Sequence, residues 1–251
     1  MARYLDPKND LIFKRIFGTH PHLLVSFLNA LMPLSPDRQI ERIEYLSPEQ
    51  VPDSPLGKDS IVDVKCIDNY GRQFIVEMQM YWNDFFNARL VFNAAKAYVR
   101  QLGRSKPYSF LQPVYGLGII NAVFDYKTDE FYHHYQTLNR YNTDEVIEGL
   151  EFVLVELPKF RPQRWADRRM AVLWLRFLKE VEDSTQEVSA DLLANEDIRE
   201  ALMLCEEGAF SLKEMEIYDH YWDYVRKEKG LFDSARQEGR KVGRAEGKAE
   251  G

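Results

Sequence analysis

The stretch "SIVDVKCIDNYGRQFIVEMQ", residues 60–79, reads as two short apolar strands around a turn, yet Asp63, Glu77 and Gln79 interrupt the apolar pattern. Side chains alternate faces along a strand with a period of two. Ile61, Asp63, Lys65 and Ile67 therefore share one face of the first strand, and Val62, Val64 and Cys66 share the other. In the second strand Gln73, Ile75, Glu77 and Gln79 share a face, opposed by the apolar set Phe74, Val76, Met78 and Met80, which is expected to face the core. Register decides whether the two acids meet, because a slip of one residue turns every side chain to the other face. A two-residue loop at Asn69-Tyr70 sets Asp63 against Val76, whereas a three-residue loop, Asn69-Tyr70-Gly71, sets it directly opposite Glu77. The three-residue hairpin wants positive φ at its last loop position, and Gly71 stands there.

Two carboxylates facing each other across neighbouring strands have Cβ atoms about 4.5–5.5 Å apart and repel. A divalent cation between them reverses the sign of the interaction, and hard oxygen donors suit magnesium, which keeps several of its waters. The pattern points to a metal site on a hairpin. A pair of acids on a solvated strand face would give the same spacing, so the rest of the chain has to discriminate.

The chain has 251 residues, enough for one well-buried core and an appended helical part. Its 45% hydrophobic and 29% charged residues are ordinary for a soluble globular protein. The start "MARYLDPKND" has no apolar run behind a basic head, and no segment is long and apolar enough to span a bilayer. The cytoplasm is the expected location, with no membrane partner. Cys66 and Cys205 give neither a disulfide framework nor a zinc pattern. A net charge of −7 argues mildly against nucleic acid, because phosphate neutralisation drives such binding. Positive charge is nevertheless locally dense. "RPQRWADRR" carries Arg161, Arg164, Arg168 and Arg169 around Trp165, which either stacks on a base or anchors a helix start; "VRQLGRSK" carries Arg100, Arg104 and Lys106. Solvated arginine faces would look the same.

"DPKNDLIFKRIFG" predicts a helix with Asp6 as N-cap, Pro7 at its first position, an apolar stripe of Ile12, Phe13, Ile16 and Phe17, and Gly18 as stop. A second apolar helix, a strand at "RQIERIEYLS", a proline-rich loop and then the hairpin follow. "NDFFNARLVFNAAKAYVRQLG" predicts a long helix capped by Asn83 or Asp84. "PVYGLGIINAVF" is of buried-strand type, and "FYHHYQTLN" and "EFVLVELP" read as further strands. His133 and His134 point opposite ways in such a strand and read as structural. From about residue 166 the pattern is helical, with caps near Ser189, Asn195 and Ser211.

The order helix, strand, hairpin, long helix, buried strand, with Asp63 and Glu77-Met78-Gln79 on the hairpin, resembles the PD-(D/E)XK nuclease superfamily. More narrowly, "NDLIFKRIFG", "DVKCIDNYGRQFIVEMQ", "RLVFNAAKAYVRQLG" with Tyr108, the strand "PVYGLGI" and the glycine-punctuated charged tail resemble the Rpn family of recombination-promoting nucleases, also described as putative transposases. The resemblance implies an α/β restriction-endonuclease-like core, a mixed central sheet flanked by helices, over residues 1–160, a helical region at 161–230 and a tail at 231–251. It implies a DNA endonuclease dependent on Mg2+, with Mn2+ as a substitute, in which Asp63, Glu77 and the Met78 backbone carbonyl hold the metal. DNA is then the partner, and self-association is left open.

Gln79 departs from the superfamily pattern: the usual lysine carries charge toward the phosphate, while an amide only donates and accepts hydrogen bonds. An amide ending is compatible with the Rpn-type pattern. Lys65, on the same strand face as Asp63, is a candidate for a relocated positive charge or a structural counter-ion. Asp10 is the acidic candidate on the first helix, or simply the partner of Lys14 four residues on. Arg89 and Arg100, with Asn93 and Lys96 close to their stripe, lie along one side of the long helix, where they could grip phosphates. Arg161, Arg164, Arg168 and Arg169 are the second set of candidate DNA contacts. Gly239, Gly243, Gly247 and Gly251 recur at intervals of four; each interior glycine costs a helix about 1 kcal/mol, and a frayed tail is expected. Two further readings stand beside the nuclease: a DNA-binding or assembly module with weakened catalysis, and a protein-interaction domain with solvated hairpin acids.

Overall fold

The computed structural model describes residues 3–50, 60–103 and 106–249; the proline-rich loop at 51–59 and Arg104 lie outside them. Two compact units are present, Met1–Ala209 and Phe210–Gly251. The first extends well past the boundary expected near residue 160. Its helix α1 is Asp10–Phe17 and α2 is Pro21–Leu31. Strands β1 (Ile43–Tyr45), β2 (Glu49–Gln50), β3 (Ser60–Ile61), β4 (Val64–Asp68) and β5 (Gln73–Gln79) lead into α3 (Phe86–Val99). Strand β6 (Val114–Ile120) follows, then β7 (Tyr132–Tyr135), a small hairpin of β8 (Leu138–Asn139) and β9 (Asn142–Val146), and β10 (Leu150–Glu156). Helices α4 (Arg169–Glu180), α5 (Ala190–Ala194) and α6 (Glu196–Leu204) close the unit.

The sheet is mixed, in the order β1-β4-β5-β6-β10-β7. β5, β6 and β10 are parallel neighbours, while β1–β4, β4–β5 and β10–β7 pair antiparallel. The hairpin register runs from Val64↔Val76 to Ile67↔Gln73, which is the register of a three-residue loop. Gly71 has φ +83 there, the left-handed conformation that glycine adopts without steric cost. Asp68 ties the loop down: Oδ1 accepts from the Tyr70 and Arg72 amides, and Oδ2 meets the buried Arg72 guanidinium at 2.6 Å.

Both faces of this sheet are covered. The Phe74, Val76 and Met78 side is buried, but α3 packs on the other side, and Ile75 is buried with Phe86, Leu90, Ala94 and Ala97. Close docking is possible because the residues of β6 beneath α3 are Gly116 and Gly118, paired with Ile75 and Glu77. A Cβ on Gly116 would stand 2.8 Å from the Phe152 ring and 3.2 Å from Leu90; one on Gly118 would stand 2.9 Å from Leu154 and 3.1 Å from Phe86.

The N-cap of α1 is Asn9, whose side chain accepts from the Leu11 amide, and not Asp6. Asp6 instead forms a buried pair with Lys8 at 2.7 Å, and Lys8 also donates to the Leu178 carbonyl of α4. Trp174 of α4 packs against Phe17 and Phe27 at centroid distances of 5.3 and 5.6 Å, so this helix completes the core and is not appended to it. In the second unit α7 runs without a break from Leu212 to Ala249. Ser211 and Glu214 form a reciprocal capping box at its start. Gly239, Gly243 and Gly247 stay within the helix, in contrast to the fraying expected, since an established helix propagates one bond per residue once nucleated; Gly251 lies outside the described residues.

Replacing Gly116 by alanine should cost about 1–3 kcal/mol through overpacking between β6 and α3. A lowered urea midpoint with unchanged secondary structure checks this; an unchanged midpoint would show that α3 does not rest on β6 as closely as described.

Candidate functional site

The ladder between β4 and β5 ends at Val64↔Val76, one step short of Asp63 and Glu77. There the chain bends, and the Asp63 carboxylate takes over from the main chain: Oδ2 accepts the Met78 amide at 2.7 Å. Side-chain acceptance of a backbone N–H where a strand leaves its partner is a common way of satisfying the freed donor. The Gln79 carbonyl is directed to β6, accepting from Asn121. By strand alternation the N–H and C=O of Met78 point the other way, towards Asp63. Asp63, Glu77 and the Met78 carbonyl are thus the oxygen groups gathered at the open end of the hairpin.

Helix α3 supplies the polar surroundings of Glu77, which is 5% exposed. Asn93 Nδ2 donates to Glu77 Oε1 at 3.0 Å, and Arg89 Nη2 donates to Glu77 Oε2 at 3.2 Å and to Gln79 Oε1 at 2.7 Å. Asn93 is itself fully buried, and its Oδ1 has no protein partner among the described residues. From α1, Lys14 Nζ lies 2.8 Å from Asp10 and 4.0 Å from Asp63. Burial raises the Asp63 carboxyl to about 7, and the neighbouring charges of Glu77 and Asp10 push the same way against the Met78 hydrogen bond and Lys14. Burial also raises Glu77, opposed by Arg89 and Asn93. Among the described residues no three acidic, histidine or cysteine side chains converge as a metal cage.

The sequence candidates divide accordingly. Asp63, Glu77, Gln79 and Met78 come together, and Asp10 joins them through Lys14. Arg89, expected as a DNA contact along the helix, lies inside the cluster. Lys65 makes no ion pair with Asp63 or Glu77 among the described residues; burial lowers its pKa, and the charges of Arg100 and Lys96 act in the same direction. Lys14 takes the place expected of Lys65, and the i, i+4 spacing to Asp10 was the sequence signal for it. Asn93 was visible only as a polar residue near an arginine stripe.

The arginines at 161–169 lie at the far edge of the sheet from β4, beside β7. Arg161 donates to the Pro158 and Phe160 carbonyls and Arg164 to the Asp129 carbonyl. Trp165 packs on Phe131 and Tyr132 as an anchor, Arg168 lies over its ring at 4.8 Å, and Arg169 opens α4 exposed. His133 and His134 bond separately to Glu156 and Glu151, as expected of structural residues.

A family model described as PD-(D/E)XK nuclease family transposase matches residues 7–235. The chain belongs to this family. No curated protein and no solved structure gives a significant match. Membership supports a nuclease-type hydrolase with an α/β core, and PD-(D/E)XK nucleases generally use divalent metals. No helix among the described residues is long and apolar enough to cross a membrane.

Between the unfolded carboxylate value of 3.8 and about 7, folded Asp63 keeps a proton that the unfolded chain has lost. Stability of the chelator-treated protein should therefore fall as pH rises through that interval, by up to about 4 kcal/mol. Urea midpoints measured from pH 4 to pH 7.5 check this, and Asp63→Asn should remove most of the slope. A midpoint that climbs over the same interval would contradict the partly buried acid pair.

Proposed function

We propose that the protein is a DNA endonuclease that depends on a divalent metal, Mg2+ with Mn2+ as a substitute, and that acts in DNA recombination or transposition. The observation that carries this reading is the apposition of Asp63 and Glu77 at the open end of the hairpin, with Asp63 fixed to β5 through the Met78 amide. Like charges brought together at partly buried positions oppose folding, and a cation between them removes the opposition. The donors fit a hard divalent ion: two carboxylates and the Met78 carbonyl, with water completing the shell as magnesium prefers. A bound cation would polarise the scissile phosphate and make a coordinated water a stronger nucleophile.

The chain's own residues then have distinct tasks. Asn93 and Arg89 orient Glu77 from α3. Lys14 holds Asp10 and moderates the charge of Asp63 from α1. The group formed by Lys65, Lys96 and Arg100 lies along the same α3-facing side and offers positive charge to the phosphates beyond the cleaved bond. This path takes the place of the 161–169 arginines, two of which are spent on backbone carbonyls. The module with weakened catalysis remains the second reading, favoured by Gln79 standing where the superfamily carries lysine.

Incubation of supercoiled plasmid with the purified chain should give nicked and linear DNA with Mg2+ or Mn2+ and none with chelator. Glu77→Ala should abolish cleavage. DNA retained at low salt without cleavage under any divalent metal would transfer the assignment to the binding module. Cation affinity measured by calorimetry should also weaken as pH drops below about 7, because the cation and the proton compete for Asp63. Affinity independent of pH across that range would remove Asp63 from the binding set.

A further inference from the structure

We propose that Arg89 carries the positive charge onto the scissile phosphate and that Gln79 is its positioning residue, so that the amide on β5 works through an arginine on α3. This rests on the nuclease reading above and specifies how that site manages without a lysine at position 79.

Three contacts fix the guanidinium. Both hydrogens of Nη2 are engaged, one by Gln79 Oε1 at 2.7 Å and one by Glu77 Oε2 at 3.2 Å. Its carbon lies 5.3 Å from the centroid of the Phe86 ring, one turn back on the same helix. A guanidinium acting only as counter-ion to Glu77 would make its shorter bond to the carboxylate. Here the shorter bond goes to the neutral amide, which holds the group off Glu77 and across the end of β5. The side chain is 45% exposed, and its side-chain hydrogen bonds among the described residues are both made by Nη2.

The other nearby cations are not placed at the end of β5. Lys14 is committed to Asp10 at 2.8 Å, and Lys65 belongs to the group with Lys96 and Arg100. Arg89 alone of these bonds to the side chain at position 79. With Nη2 held by Glu77 and Gln79, the delocalised charge stays over the open side and the remaining N–H groups can each offer a single hydrogen bond to a non-bridging phosphate oxygen. Those oxygens gain charge as the water oxygen bonds to phosphorus and the bond to the sugar oxygen breaks, the water proton passing to solvent and the leaving oxygen taking one up. Donors already aimed at that charge act without reorganisation.

The test uses the full-length chain in a Gln79/Arg89 double-mutant cycle with two readouts, cleavage with Mg2+ and DNA affinity against salt in chelator. Arg89→Ala should lower kcat about 10²–10³-fold, the size found for one preorganised donor. It should also reduce the salt slope of metal-free DNA binding by about one. Gln79→Ala should lower kcat about tenfold with KM nearly unchanged, and should have no further effect in the Arg89→Ala background. Gln79→Lys should lower activity, since an ammonium there repels the guanidinium. Should Arg89→Ala unfold by leaving Glu77 unpaired, Arg89→Lys keeps the charge without the planar group that Gln79 and Glu77 hold in place, and should retain the salt slope while losing most of kcat.

Equal effects of Gln79→Ala in both backgrounds would overturn the proposal. So would an unchanged salt slope and rate in Arg89→Ala, or a gain of activity in Gln79→Lys. If the unmodified chain binds DNA but cleaves under no metal, the nuclease reading fails by itself, and the coupling of Gln79 to Arg89 in DNA affinity still decides whether the pair grips phosphate.

Discussion

The repulsion between Asp63 and Glu77 is the constraint around which the first unit is arranged. Register brings the two acids level, and nothing in a stability argument recommends that placement. Each neighbouring element answers it. The β4 strand stops at Val64, so that Asp63 turns its carboxylate onto the Met78 amide and does not stand squarely across from Glu77. Helix α1 brings Lys14, and α3 brings Arg89 and Asn93. The compensation is partial: burial still raises both carboxyls, Asp63 to about 7. A fold that wanted only a quiet hairpin would have replaced one acid.

The compensation depends on how near α3 can come. Two glycines in β6 lower the sheet surface under the helix, and Leu90 and Phe86 settle into the space. Arg89 and Asn93 lie on the same helix as those apolar residues and are carried down with them onto Glu77. Packing and chemistry are therefore coupled through β6, a strand that itself contributes no polar side chain to the cluster. Fully buried Asn93, with one acceptor unpartnered, is a cost of about 1–3 kcal/mol that a merely structural residue at this position would avoid.

Most of this was legible in local patterns, because hairpin register follows from loop length and one glycine, and the same arithmetic places the acids. The order of elements carried the family. What the sequence could not disclose were contacts across elements. The period-two reading marked one strand face as apolar and said nothing of what covers the other, but a central parallel strand is covered on both sides, and only the tertiary position of α3 shows it. Lys65 and Lys14 illustrate the same limit: one is two residues from Asp63 and faces a different group, the other is 49 positions away and adjacent. The 161–169 arginines form an exposed cluster as the sequence suggested, but the backbone carbonyls to which Arg161 and Arg164 donate leave no mark in sequence.

The amide at position 79 then has a physical rationale that does not require decay of the site. A lysine there would place an ammonium beside Glu77, on the side from which Arg89 approaches, and two cations would compete for one carboxylate. A glutamine removes the competition and offers an acceptor, which Arg89 takes in preference to the closer embrace of Glu77. In the proposal above the charge sits not on the strand but on the helix, where the guanidinium is planar and lies 5.3 Å from the Phe86 ring. The helix can supply this only because it lies so close to the sheet, which returns the argument to Gly116 and Gly118: the two least reactive residues near the site determine which cation the site can use.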